Sequence, residues 1–142
     1  GDTVGIAGAG LTGTESAIAL AQEGKKVTVI DMIPEELFLK GNPGPATLYV
    51  MDLLTGLDVT FIFEARLKEI TADGVVYIDK EGNEQTLVCD TAINALGMTY
   101  DKDEVDELLS VQPLSFAMGD CSGKSMTIQT AVLDGFSQAM DI

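Results

Sequence analysis

Apolar and polar positions follow two different periods along this chain, and the switch between them divides it. Residues 4–7 are a short unbroken apolar run and read as the first strand. Residues 12–23 mix small and apolar side chains (Ala17, Ile18, Leu20, Ala21) with polar ones, and Gly24 supplies a left-handed helix stop. Val27-Thr28-Val29-Ile30 reads as a second strand. Pro34-Glu35-Glu36 predicts a short helix, with proline at its first position and acids at the positive end of its dipole. Gly41-Asn42-Pro43-Gly44-Pro45 is the clearest breaker and predicts a loop. Residues 46–54 return to helix and stop at Gly56, and residues 58–63 form a third strand. Strand, helix, strand, helix, strand in that order predicts a parallel sheet with right-handed crossovers.

From residue 65 the period becomes two. Residues 65–71, 75–79 and 85–89 are short alternating runs, separated by Asp73-Gly74 and Glu81-Gly82-Asn83. That pattern predicts a three-stranded antiparallel meander. Thr91-Ala92-Ile93-Asn94-Ala95-Leu96-Gly97 then fits as a fourth parallel strand, and Gly97 would let the main chain run close to a ligand. The character changes again at Thr99. Asp101-Lys102-Asp103-Glu104 is charged, and residues 105–109 support at most a short helix. Leu114-Ser115-Phe116-Ala117-Met118 reads as one more strand, before Gly119-Asp120-Cys121. Residues 127–140 predict a helix with apolar positions at Ile128, Ala131, Val132, Leu133 and Phe136.

The chemistry enters at the first strand-to-helix junction, which carries Gly8-x-Gly10-x-x-Gly13. In this context Gly8 permits the tight turn, Gly10 lets the backbone approach a pyrophosphate, and Gly13 lets the helix pack closely on the sheet. The free N–H groups of the helix start, at Leu11 and Thr12, would face the phosphates. Asp31 follows the second strand, 18 residues past Gly13. An acid there can accept hydrogen bonds from adenosine ribose hydroxyls and would repel a 2′-phosphate. The expectation is therefore an NAD(H) site in an α/β, Rossmann-like parallel sheet with an inserted three-stranded antiparallel β-meander. Arg66, the only arginine, lies well away from the second strand, and Lys25 and Lys26 sit at its opposite end, which favours NADH over NADPH. The plainer alternatives are a tight turn without ligand for the glycines and a solvated turn acid for Asp31.

Composition narrows the function further. A net charge of −15 argues against nucleic acid, whose phosphates need clustered Lys and Arg. It also opposes an anionic cofactor at long range, so binding would rest on local amides and strengthen as salt screens the background. No apolar stretch approaches the roughly 20 residues of a membrane span. Histidine is absent, which removes Ser-His-Asp and Cys-His machinery and argues against a zinc site. Cys89 and Cys121 are too far apart in sequence for a CxxC pair and read as free thiols in a reducing cytoplasm. No catalytic side chain and no metal ligand are assigned; a cofactor would carry any reactive centre. The chain lacks an initiating methionine and enters a strand almost at once, which reads as a piece of something longer.

Gly8-Ala9-Gly10-Leu11-Thr12-Gly13-Thr14-Glu15, Ala95-Leu96-Gly97 and Gly119-Asp120 resemble, in that order, the flavin-dependent pyridine-nucleotide oxidoreductases. Residues 23–35, Ala95-Leu96-Gly97-Met98, and Gly119-Asp120-Cys121 with Asp134-Gly135-Phe136 look most like the C-terminal part of old-yellow-enzyme-type NADH:flavin oxidoreductases. That group holds 2,4-dienoyl-CoA reductase and enoate reductase. The resemblance implies an NAD(H)-binding domain over residues 1–98, inserted into a split flavin domain. It implies that residues 99–142, a strand plus a helix, are the second half of that flavin domain. By the same resemblance Asp120 holds a flavin ribityl chain, and Glu15 binds the nicotinamide-side ribose, although a helix dipole alone would also favour an acid at Glu15.

The departures matter as much. The flavin domain's own glycine motif, the CxxxxC pair of the disulfide reductases and the barrel that carries substrate chemistry are all missing from the chain. FAD is thus expected in the full-length parent and not in this chain, which would position NADH for hydride transfer without turning over substrate itself. The expected partners are the dinucleotide and the remainder of the parent flavoenzyme, with a homodimer through the orphaned strand at 114–118. The alternative functions are a nucleotide-sensing or interaction domain, or a glycine motif that takes FAD.

Overall fold

The computed structural model describes residues 1–123 and 127–140. The chain divides into two compact units, Gly1–Gly97 and Met98–Ile142.

The first unit is built on a parallel sheet. Its strands are β1 (Thr3–Ala7), β2 (Lys26–Ile30), β3 (Val59–Ile62) and, later in the chain, β7 (Thr91–Asn94). They lie in the order β3-β2-β1-β7, with Ile6 of β1 in register with Val29 of β2 and Ile93 of β7. The unbroken apolar run of β1 follows from this central place, where neither face meets water. On one face Val27 and Val29 pack against Ala17 and Ala21 of helix α1 (Leu11–Gln22). Helix α2 (Gly44–Leu54) brings Val50 to Ile18 and the buried Leu39.

The opposite face carries the meander, β4 (Arg66–Thr71), β5 (Gly74–Ile78) and β6 (Glu84–Val88), paired antiparallel in chain order. Val75 of β5 is fully buried against Ile30 and Ala65. Each meander strand has one face toward the parallel sheet, which is the physical origin of the period-two sequence. Gly5 makes the contact between layers close, since a Cβ there would lie 3.0 Å from Val75 Cγ2 and from Cys89 Sγ. The α/β class, the parallel sheet and the inserted meander all stand as expected.

The second unit has helix α3 (Lys102–Ser110), a 3-10 turn at Gly119–Ser122 and helix α4 (Ile128–Met140). Two sequence expectations need correction here. Helix α3 is longer than foreseen, because Asp101 caps it by accepting from the Asp103 and Glu104 amides at 3.0 and 3.1 Å. Asp101 followed by Glu104 is the spacing of a capping box, and the charge of the segment hid that signal. The strand expected at 114–118 does not form. An apolar run becomes a strand only where a neighbour takes up its backbone bonds, and among the described residues no neighbour does so. Among the described residues of 99–142, the "strand plus helix" that was expected is replaced by two helices and a 3-10 turn. In the first unit, the short helix foreseen at Pro34 is a single 3-10 turn, Glu35–Leu37, and α2 starts at Gly44 within the foreseen loop. Proline in a first helical turn loses no bond that the helix would have made.

Candidate functional site

The site assembles where β1 ends. The Gly8 amide donates to Ile30 O at 2.8 Å, turning the chain off the sheet with φ +112°. A Cβ on Gly8 would sit 2.3 Å from Ala95 O, so both its conformation and its neighbour demand glycine. A Cβ on Gly13 would lie 2.0 Å from Gly8 O, so this glycine lets the first turn of α1 rest on the loop.

Gly10 is different. It has φ −65° and ψ 177°, a conformation open to any residue, and nothing lies within 4 Å of where its Cβ would be. Neither the fold nor the packing needs glycine there. What a side chain would obstruct is the space over the helix start. Gly10 is also the N-cap of α1 and offers no side-chain acceptor to the first amides of the helix, in contrast to Asp101 at α3. Leu11 and Thr12, both exposed, therefore begin a helix whose leading N–H groups are left for an outside acceptor. The space and the donors suit the pyrophosphate of a dinucleotide.

Thr14 is the residue that sequence reasoning missed. It is fully buried, its amide donates to Gly10 O at 3.0 Å and its hydroxyl to Ala9 O at 3.2 Å, which fixes the loop from beneath. A threonine one place after the third glycine was the only available signal. Glu15, by contrast, is exposed one turn into α1, past the first turn in which a helix dipole would favour an acid.

Asp31 sits at the end of β2 and belongs to the same place. Its Oδ2 accepts from the Ala9 amide at 2.5 Å and its Oδ1 from the Ile33 amide at 3.1 Å. Its main chain is tied too, with N–H to Ile62 O at 3.0 Å and O to the Ala65 amide at 2.9 Å. Gly97 follows β7 with φ +92° in open space, so its conformation, and no crowding, calls for glycine. The turn that carries it is anchored beside Gly8 by the Ala95 amide, which donates to Ala7 O at 2.7 Å. Six of the expected positions thus share one neighbourhood at the ends of β1 and β2: Gly8, Gly10, Leu11, Thr12, Gly13 and Asp31.

Against this geometry, the model of the pyridine nucleotide-disulphide oxidoreductases matches residues 2–135. The chain belongs to that family. Its curated relatives include cinnamate reductase of Clostridium sporogenes, 29% identical over 100% of this chain and 21% of that protein. Bilirubin reductase of Mediterraneibacter gnavus is 30% identical over 94% of this chain and 20% of that protein. Among solved structures, 2-naphthoyl-CoA reductase in complex with 2-naphthoyl-CoA superposes with a TM-score of 0.77 at 24% identity, over 100% of this chain and 21% of that one. The chain spans about a fifth of the length of these relatives.

Asp120 lies in the second unit, on the 3-10 turn Gly119–Ser122. It lines an open recess of about 430 Å³ with Thr127, Ile128 and Ala131. Gly119 takes φ +69° there, and its amide donates to Asp134 Oδ2 at 3.2 Å. A larger cleft of about 460 Å³ has five carboxylates in its lining, Glu35, Glu36, Glu64, Asp79 and Glu81, against the single cation Lys80, a balance that opposes a phosphate. No helix among the described residues is long and apolar enough to cross a membrane.

Proposed function

We propose that residues 1–97 bind NADH and position it for hydride transfer to a flavin in an old-yellow-enzyme-type oxidoreductase. The observation that carries this reading is Gly10, a glycine that the folded chain does not need and a phosphate would. The first amides of α1, at Leu11, Thr12 and Gly13, would take the pyrophosphate. Asp31 would take the adenosine ribose, Glu15 the second ribose, and Gly97 would lie along the cofactor. NADH is favoured over NADPH because Asp31 directly follows β2 and Glu35 and Glu36 come after it, whereas Lys25 and Lys26 lie at the start of that strand. When bound, the dinucleotide supplies the hydride; this chain's residues bind and orient it and exclude the 2′-phosphorylated form.

In the same reading, residues 98–142 form the second half of a split flavin domain, with Asp120 toward the ribityl chain. Asp120 and its recess set this reading apart from a nucleotide sensor, which has no use for a flavin half-site. The remainder of a longer flavoenzyme would then be the partner, in the cytoplasm.

Calorimetric titration with NADH, NADPH and FAD, on the wild type and Gly10→Ala, tests the reading. NADH should bind selectively, and Gly10→Ala should weaken it at least about tenfold while lowering the melting temperature by no more than the few degrees that alanine at an N-cap costs. Preferential FAD binding would reassign the glycine motif to the flavin. Silence with all three would overturn the assignment.

A further inference from the structure

The two oxygens of Asp31 are both engaged before any nucleotide arrives. One accepts from Ile33, two residues on, which shapes the turn leaving β2. The other reaches across the sheet end to the amide of Ala9, between the first two glycines of the motif. Ala9 is 1% exposed, so its N–H has no recourse to water and needs an acceptor within the fold. The main chain of Asp31 is held between Ile62 and Ala65, so the carboxylate reaches the loop from a fixed base.

We infer that Asp31 is a positioning residue for the glycine loop as well as a ribose acceptor. It joins adenosine recognition and loop shape through one side chain. Each oxygen keeps a lone pair, so a ribose hydroxyl adds to the existing bonds and displaces neither. A 2′-phosphate is opposed twice. It meets a negative charge, and that charge cannot swing aside without stripping acceptors from two main-chain amides, one of them buried. Exclusion of the phosphorylated cofactor is then a property of the loop and not of charge alone. A substitution at Asp31 intended only to change ribose recognition would also loosen the phosphate cradle.

The test separates the two roles, and only its nucleotide arm rests on the reading proposed above. Backbone amide exchange is followed by NMR in the wild type, Asp31→Ala and Asp31→Asn. The Ala9 amide should exchange about tenfold faster or more in Asp31→Ala. The Ala95 and Lys26 amides, bonded to Ala7 O and Asp2 O, should stay protected and so report an intact sheet. Asp31→Asn, with one oxygen acceptor, should keep one of Ala9 and Ile33 protected and lose the other; it also serves if Asp31→Ala does not fold. Unchanged exchange at Ala9 in Asp31→Ala, or at both Ala9 and Ile33 in Asp31→Asn, would overturn the inference.

In the second arm, ADP and 2′,3′-dideoxy-ADP are titrated into each protein. If Asp31 shapes the loop, Asp31→Ala weakens both ligands; if it meets only the ribose, dideoxy-ADP binds as before and the inference fails. Absence of binding by either ligand to the wild type would count against the proposed function, and amide exchange would still decide the role of Asp31.

Discussion

The two units treat their apolar residues in opposite ways. In Gly1–Gly97, Ile6, Val27, Val29, Ile30 and Val75 are all at most 1% exposed, sealed between the helices and the meander. Among the described residues from 98 onward none is buried. Helix α4 shows Ile128 at 87% and Phe136 at 66% exposure, and Leu114 and Met118 are open as well. A glycine loop must be held to fractions of an ångström to present its amides, and the first unit has the core to do so. The second unit carries Asp120 and its recess on elements with little internal support. The first unit can therefore present its proposed site by itself, whereas the second has apolar surface of the kind that other polypeptide covers.

Four substitutions sharpen or break this contrast. The largest effect is expected for Ile6→Ala, which empties the centre of the sheet and should cost about 2–5 kcal/mol in urea denaturation. A loss below about 1 kcal/mol would mean that the first unit is far looser than its burial implies. Asp101→Ala removes the cap of α3 and should cost about 1 kcal/mol, seen as lost helical circular dichroism before the sheet melts. If the whole chain melted as one with an unchanged helical signal, the units would not be energetically separate.

A smaller effect concerns the seam that joins β1 to the turn before β7. The carboxyl of Asp90 accepts from the Thr3 amide and hydroxyl at 2.9 and 2.8 Å and from the Asp2 amide at 2.9 Å. The amide and hydroxyl of Thr3, then the Asp2 amide, hold its pKa below the ordinary carboxylate value. A folded-state pKa that is lowered contributes stability above the unfolded value, near about pH 4, and loses it as the pH falls through the folded value. The wild type should thus exceed Asp90→Asn in melting temperature at pH 7, and that gap should narrow below about pH 4. A gap that is constant with pH would mean that the charge of Asp90 is not what matters. The smallest effect is expected for Phe136→Ser, within about 0.5 kcal/mol in this chain, because the ring leaves water only slightly. A large loss there would show that α4 is buried in solution and would erase the contrast.

Much of the first unit was legible because its signals are local. The strand-glycine-helix junction, Asp31 after the second strand and the Asp73-Gly74 turn each have a backbone cause that a few neighbouring residues contain. The loop at 41–45 was half legible, since a breaker rich in proline is also a permitted helix start. The segment 114–118 misled for the opposite reason. An apolar run states that it prefers to be covered, and whether it becomes a strand depends on a partner elsewhere in space.

By itself, then, the sequence determined the parallel sheet, the meander and the position of the glycine motif, because periodicity and turn chemistry act over a few residues. Only the tertiary structure decided what each glycine is for. Gly8 and Gly13 are demanded by atoms of Ala95 and of Gly8 itself, while Gly10 is demanded by no atom of the fold. It also decided that Asp31 reaches Ala9, 22 residues earlier, because parallel pairing of β1 with β2 brings their ends side by side. A hydrogen bond depends on distance in space, and along the chain these two residues are separated by an entire helix.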